Sequence, residues 1–208
     1  MSTLDGLAVS VLTRAPVPGQ TKRRLIPALG ATKAAALHEV MLERTLVTAV
    51  SAQVGPVDLV CTPTAEHPTF CSLARRFGVN LRVQIEGDLG ERMRCELQRQ
   101  LQLYRFGAVV GSDCPGIQIS DYVGTIGHLT DGVDAVLGPS RDGGYYLLGL
   151  KCANWRVFEG IPWGEDSVAD RTRERFVELN WSWCELPERV DVDRVADIAA
   201  YPELSEDV

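Results

Sequence analysis

The sequence predicts an α/β fold: three layers, α/β/α, around a mostly parallel, Rossmann-like sheet with an antiparallel late strand. Three observations predict it. Short runs rich in Val, Leu and Ile alternate with longer helix-forming runs through the first two-thirds of the chain. Gly and Pro punctuate the ends of those runs. The last two strand-like runs are joined by only seven residues, Gly138 to Gly144, too few for a crossover helix.

The elements follow in order. Residues 7–13 form a buried strand. Residues 31–53, rich in Ala, Leu and Glu, form a helix ended by Gly55-Pro56. Residues 57–61 are the second strand. Residues 68–77 are a helix, with Pro68 suited to its first turn and Gly78 to its C-terminal cap. Residues 81–85 form the third strand. Residues 89–102 form a helix with Leu89, Met93, Leu97 and Leu101 at i+4 spacing. Residues 108–111 are a short buried strand and 119–129 a helix. Residues 135–137 and 145–150 are strands, and 168–179 a helix with Asp166 or Ser167 at its cap. Asp193 is placed to cap a further helix that begins near Val195. The β-α-β order requires a mostly parallel sheet with helices on both faces, and one of the two late strands must run against the rest. One domain over residues 1–208 accounts for the pattern, with the last ten residues loosely held.

Composition excludes several classes. Hydrophobic residues make up 45% and charged residues 24% of the 208, ordinary proportions for a globular protein. No apolar run approaches the ~20 residues needed to span a bilayer, and the first residues lack the pattern of a signal peptide. The expected location is the cytoplasm, away from membranes. A formal net charge of -7 with no broad basic face argues against nucleic acid as a partner. The six cysteines are scattered without a C-x-x-C pair, the pattern of free thiols rather than a zinc site.

Against that acidic background, residues 14–25 stand out. Arg14, Lys22, Arg23 and Arg24 follow directly on the first strand, in a loop that also holds Pro16, Pro18 and Gly19. The prolines limit the freedom lost when the loop closes on a ligand, and Gly19 allows close backbone approach. Two readings are open: a solvated basic turn, or a site for a polyanion such as a nucleotide's diphosphate.

Three acidic positions invite the complementary chemistry. Asp113 follows the strand at 108–111. A carboxylate there holds Mg²⁺ or Mn²⁺, or caps the turn before Pro115. Asp142 precedes Gly143-Gly144-Tyr145. It is a base or a sugar-orienting carboxylate, a hairpin residue, or both. Asp193, in Asp191-Val192-Asp193, is either a second metal ligand or a helix cap. Trp163, in Ile161-Pro162-Trp163-Gly164, is a core plug or a ligand platform. His38, His67 and His128 show no partner pattern and receive no role.

Together these segments resemble a bacterial family of small GT-A-fold, glycosyltransferase-like proteins related to nucleotide-diphospho-sugar transferases, some assigned to arsenosugar biosynthesis. The matching motifs are A-P-V-P-G-x-x-K-x-R-L from Ala15, G-D-L-G-E-R-M from Gly87, G-S-D-C-P from Gly111, G-P-x-x-D-G-G-Y-Y-L-L-G-L from Gly138, I-P-W from Ile161 and D-V-D from Asp191. They span nearly the whole chain in the family's order.

The resemblance implies a nucleotide-diphospho-sugar transferase fold and a Mg²⁺ or Mn²⁺ cofactor at Asp113, for which Asp193 is the candidate second ligand. It implies that Arg14, Pro16, Gly19, Lys22 and Arg24 take the nucleotide phosphates, with Asp88 and Arg92 over the nucleotide or sugar. Gly143, Gly144, Tyr145 and Trp163 fall on the sugar or acceptor side, with Asp142 catalytic. The chain departs from the family at Arg14 (usually Lys), Arg23 (usually Thr), Gly116 (usually acidic) and Gly164 (usually Ser or Thr).

Three functions remain open at this level. A glycosyltransferase would use a nucleotide-sugar and a small-molecule acceptor. A nucleotidyltransferase would join a nucleoside triphosphate to a phosphorylated small molecule and release pyrophosphate. A third reading is nucleotide binding without catalysis.

Overall fold

The computed structural model describes residues 3–205. Seven strands, β1 (Leu4–Arg14), β2 (Val57–Thr62), β3 (Asn80–Val83), β4 (Tyr104–Gly111), β5 (Ala135–Pro139), β6 (Tyr145–Leu150) and β7 (Trp183–Glu185), form one sheet in the order β3-β2-β1-β4-β6-β5-β7. β6 runs antiparallel to β4 and β5, and every other neighbouring pair is parallel.

Helices cover both faces. They are α1 (Ile26–Leu29), α2 (Ala31–Ser51), α3 (Pro68–Phe77), α4 (Leu89–Leu103), α5 (Ile119–Thr130), α6 (Val168–Glu178) and α7 (Val195–Ile198). The strands' period of two sorts their side chains between the faces. Leu7, Val9 and Val11 of β1 pack with Leu46 of α2, Phe70 of α3 and Tyr122 of α5. Val109, Leu137 and Leu148 pack on the other face with Met93 and Leu97 of α4 and Phe176 of α6. Full burial of each large side chain, such as Phe70 or Phe176, contributes ~1.5–3 kcal/mol.

Local signals account for the helix ends. The His67 ring accepts from Thr69 N at the start of α3, Pro68 occupies the first turn, and Gly78 closes the helix at φ 67°. α4 opens on a capping box in which Asp88 Oδ1 accepts from Glu91 N (2.8 Å) and Glu91 Oε2 accepts from Asp88 N (2.9 Å). The body of α4 is anchored to the sheet by polar contacts. Gln100 Nε2 donates to Ser10 Oγ (2.9 Å) and Ala108 O (3.0 Å), while Arg99 pairs with buried Glu96 and with Asp58. The helix therefore holds its N-terminal turn at the carboxyl ends of β1 and β4.

Two of these helices and strands had no sequence expectation. α1 is a single turn, and β7 is a three-residue edge strand paired to β5. β7 is held by aromatic packing, with the Trp183 ring 5.5 Å from that of Phe176. The expected cap of α7 needs correction. Arg194 is the cap residue, and Asp197 Oδ2 accepts from the backbone N of Asp193 and Arg194. The Asp193 carboxylate is instead engaged by Arg24. Among the described residues, no helix is long and apolar enough to cross a membrane.

After β1 the chain builds the sheet outward through β2 and β3, then crosses back to lay β4 on β1's other side. The crevice beyond the carboxyl ends of β1 and β4 is thus the topological switch point, where open α/β sheets bind ligands.

Candidate functional site

The basic loop after β1 is pinned by one of its own side chains and by β2. Thr21 Oγ1 donates to Ala15 O (2.6 Å), and Ala15 N donates to Thr62 O (2.8 Å) at the end of β2. Pro16 is buried within the turn, and Gly19 sits exposed at its tip with φ 83°. Lys22 adopts φ 49°, a left-handed conformation uncommon outside glycine. Its side chain runs inward. Nζ donates to Val192 O (2.7 Å), pairs with Asp113 Oδ1 (2.9 Å) and lies 3.8 Å from Asp193 Oδ1. Arg14, Arg23 and Arg24 remain exposed at the mouth of the crevice.

Asp113 stands one residue beyond Ser112 at the end of β4. Nearly half of its side chain reaches solvent (47%), yet Oδ1 is enclosed. Burial would raise this carboxyl. The Lys22 ammonium and the nearby His38 ring overcome that and hold it well below the usual carboxylate range. His38 of α2 is 3% exposed. Its Nε2 donates to Arg14 O (2.9 Å), while Nδ1 lies 3.4 Å from Asp113 Oδ1. The histidine without a sequence-level role therefore ties the end of β1 to the strand-end aspartate.

The D-V-D segment divides its two carboxylates. Asp193 is ion-paired to Arg24 and adjoins Lys22. Asp191 is the orphan: its Oδ1 is buried and has no hydrogen-bond partner. Burial, with Asp113 and Asp142 close by, pushes Asp191 up to about 7, against the opposing pull of Lys22. Neighbouring carboxylates disfavour each other's charged form, and a bound cation would relieve that repulsion.

Asp113 and Asp191 offer hard oxygen donors, the type that Mg²⁺ and Mn²⁺ prefer. Among the described residues, no group of three or more His, Cys, Asp and Glu side chains is arranged to hold a metal. The fit is to a cation held by one or two carboxylates and completed by substrate phosphate and water, the usual arrangement for Mg²⁺.

The loop between β5 and β6 forms the facing wall. Asp142 Oδ1 accepts from Ser140 Oγ (2.6 Å) and Gly144 N (3.0 Å), so the hairpin reading of this aspartate is realised. Its other oxygen makes no hydrogen bond among the described residues. Gly143 has φ 87°, and a Cβ there would lie 1.8 Å from Asp166 O. Ala169 N also donates to Gly143 O (2.8 Å). The hairpin and the segment before α6 are thereby locked together. Trp163 abuts the first turn of α4, where a Cβ at Gly90 would be 2.5 Å from its ring. Asp88 and Glu91 are both engaged in the cap of that helix.

Two connected lobes result. One, about 600 Å³, is lined by Arg14, Lys22, Arg23, Arg24 and Arg92. The other, about 690 Å³, is lined by Asp142, Gly144, Tyr145, Trp163 and the acidic residues before α6. Asp113, Asp191 and Asp193 border both. Of the residues expected at the site, Pro16, Gly19, Asp88 and Gly143 shape these walls without lining either lobe. Sequence reasoning passed over His38 and chose Asp193 where Asp191 carries the unsatisfied oxygen. The D-V-D pattern contained Asp191, but nothing in it distinguishes the two.

The fold has close counterparts among solved structures. A presumptive nucleotide-diphospho-sugar transferase from Desulfovibrio desulfuricans G20 matches with a TM-score of 0.85 at 28% identity, covering 96% of this chain and 88% of that one. 4-Diphosphocytidyl-2C-methyl-D-erythritol synthase from Anaerococcus prevotii matches with a TM-score of 0.64 at 13% identity, over 97% and 99%. Rv0371c of Mycobacterium tuberculosis, solved in complex with manganese, matches with a TM-score of 0.53 at 19% identity, over 98% and 100%. At those lower identities the second and third speak to the fold alone. None of the curated proteins compared matches this chain. The architecture is that of the nucleotide-sugar transferase fold, as the motif resemblance implied. A family model described as "Uncharacterized protein conserved in bacteria (DUF2064)" matches residues 45–165, more than half of the sequence, and the chain belongs to that family.

Proposed function

We propose that this protein is a nucleotide-using transferase that moves a sugar from a nucleotide-diphosphate sugar to a small-molecule acceptor. The observation that carries this reading is the meeting of a basic and an acidic lobe at Asp113. The similarity to the Desulfovibrio protein over 96% of the chain supports it.

The exposed Arg14 and Arg24, with Arg92 from α4, bind the diphosphate through charge-assisted hydrogen bonds. Lys22 organises the site from beneath by holding Asp113 and the Val192 carbonyl. Asp113 and Asp191 are the carboxylates we assign to Mg²⁺ or Mn²⁺, with Asp193 engaged by Arg24. When bound, the cation neutralises charge on the leaving diphosphate.

Asp142 takes the proton of the acceptor hydroxyl. That oxygen bonds to the anomeric carbon of the sugar. The bond from this carbon to the diphosphate oxygen breaks, and the nucleoside diphosphate leaves with the electron pair. Trp163 and Tyr145 close the apolar side of the lobe and exclude water.

The test is turnover with Mn²⁺ over a panel of nucleotide-sugars and nucleoside triphosphates, with small-molecule acceptors. The expected product is a nucleoside diphosphate, formed only from a sugar donor. Release of pyrophosphate from a triphosphate would replace sugar transfer with nucleotidyl transfer at the same site. Thermal stabilisation by nucleotide without either product would reduce the assignment to binding.

A further inference from the structure

The two lobes differ in charge, and the difference bears on the acceptor. The first lobe gathers the loop arginines. The second is bordered by Asp142, Glu165, Asp166 and Asp197 in addition to the carboxylates at the junction. Glu165 and Asp166 are exposed and make no ion pair among the described residues. Arg24, Arg141 and Arg194 also border this lobe; Arg24 is paired with Asp193, and Arg141 is drawn toward Glu188 (3.9 Å). Carboxylates therefore outnumber cations there. A divalent cation at Asp113 and Asp191 would leave the outer carboxylates uncompensated.

The junction of the two lobes also holds an unsatisfied acceptor. Asp191 Oδ1 is enclosed, lacks a hydrogen-bond partner, and belongs to a side chain that borders both lobes. The lining also includes an apolar and aromatic set, Leu12, Leu89, Met93 and Trp163. A cleft with one apolar face and convergent acceptor oxygens suits a molecule with a carbon-rich face and several hydroxyl or amino donors. A phosphate in that place would face like charge in a partly desolvated site, an arrangement that binding sites use to reject partners.

We propose that the second lobe takes a non-anionic polyhydroxylated acceptor, neutral or amine-bearing, and rejects its phosphorylated counterpart. This rests on the transferase reading above, because it assigns the acceptor side of that site. It runs against nucleotidyl transfer, whose acceptor is a phosphate.

The experiment uses matched probes: glucose, glucosamine and glucose 6-phosphate, with ribose and ribose 5-phosphate as a second pair. Binding to the full chain in Mn²⁺ is followed by calorimetry and by tryptophan fluorescence. Each phosphorylated probe is expected to bind the second lobe at least about tenfold more weakly than its parent. The double variant E165K/D166K, in an exposed segment, should erase or invert that preference while leaving the melting temperature near wild type. The milder E165Q/D166N should move it in the same direction. Equal or tighter binding of the phosphorylated probes overturns the proposal. So does failure of every unphosphorylated probe to bind, or an unchanged preference in both variants. Charge discrimination without donor turnover would sink the transferase reading and leave the lobe's selectivity standing. Turnover that prefers phosphorylated acceptors would do the reverse.

Discussion

Lys22 Nζ lies 2.9 Å from Asp113 Oδ1, so a lysine of the basic loop is already committed to the strand-end aspartate. The same Nζ reaches the Val192 carbonyl across 170 residues of chain. One buried ammonium thus joins β1's loop, β4's end and the D-V-D segment. The sequence had placed Lys22 on the diphosphate, whereas its buried position makes it the post that holds the walls in register.

Lys22→Ala should therefore destabilise the fold by about 2 kcal/mol, below the full cost of opening a buried pair because Asp113 is half-exposed. The melting temperature should fall by several degrees. Arg14→Ala, at an exposed position, should leave stability unchanged and weaken diphosphate binding about tenfold, the worth of one charge-assisted contact. Thermal melts and calorimetry on both variants separate the two roles. Lys22→Ala melting at the wild-type temperature would contradict the burial argument.

Asp191 links stability to pH in a definite direction. Its folded pKa is raised to about 7 from an ordinary value of 3.8. Across that window the folded state binds more protons than the unfolded chain, so this residue makes stability fall as pH rises from about 4 to about 7, with no further contribution above. Asp113, with a lowered folded pKa, acts oppositely: its contribution is present above the ordinary carboxylate value and lost as pH falls below it. Asp191→Asn should remove the decline between about pH 4 and 7. It should also abolish any stabilisation by Mn²⁺. Denaturant midpoints across that range, with and without Mn²⁺, check both.

Asp142→Asn keeps an oxygen to accept from Ser140 Oγ and Gly144 N. The hairpin should survive, with a melting temperature near wild type. Turnover should drop by roughly 10²-fold or more, the usual scale of a lost general base. Nucleotide affinity should hold, because the proposed reading assigns the phosphates to the other lobe. Activity within a few-fold of wild type would return Asp142 to a purely structural role.

Gly143→Ala tests the lock between the two walls of the second lobe. The new Cβ would meet Asp166 O at 1.8 Å and would sit at φ 87°. The positive φ alone costs about 1–3 kcal/mol, before the collision with backbone. A clear drop in melting temperature is expected, with loss of acceptor binding and retained nucleotide binding. A variant with normal stability would mean that the loop and the segment before α6 separate without cost.

The sequence by itself determined the layered fold and much of the element order, since hydrophobic period, capping residues and chain breakers are local. Pro68 and Gly78 bound α3 as their conformational preferences dictate, and the seven-residue link from Gly138 to Gly144 required β6 to run antiparallel to β5. It also located the three stretches that meet at the crevice: the basic loop, Asp113 and the D-V-D segment. What it left to the tertiary structure was which side chain meets which. His38 stands in the middle of α2 with nothing in its neighbours to mark it, and reaches Asp113 only because α2 packs across the end of β1. Asp191 and Asp193 are equivalent as letters. Arg24 engages one, while burial beside Asp113 and Asp142 leaves the other orphaned. The inward turn of Lys22 has the same origin, since burial and charge at one point depend on segments distant in the chain that only packing brings together.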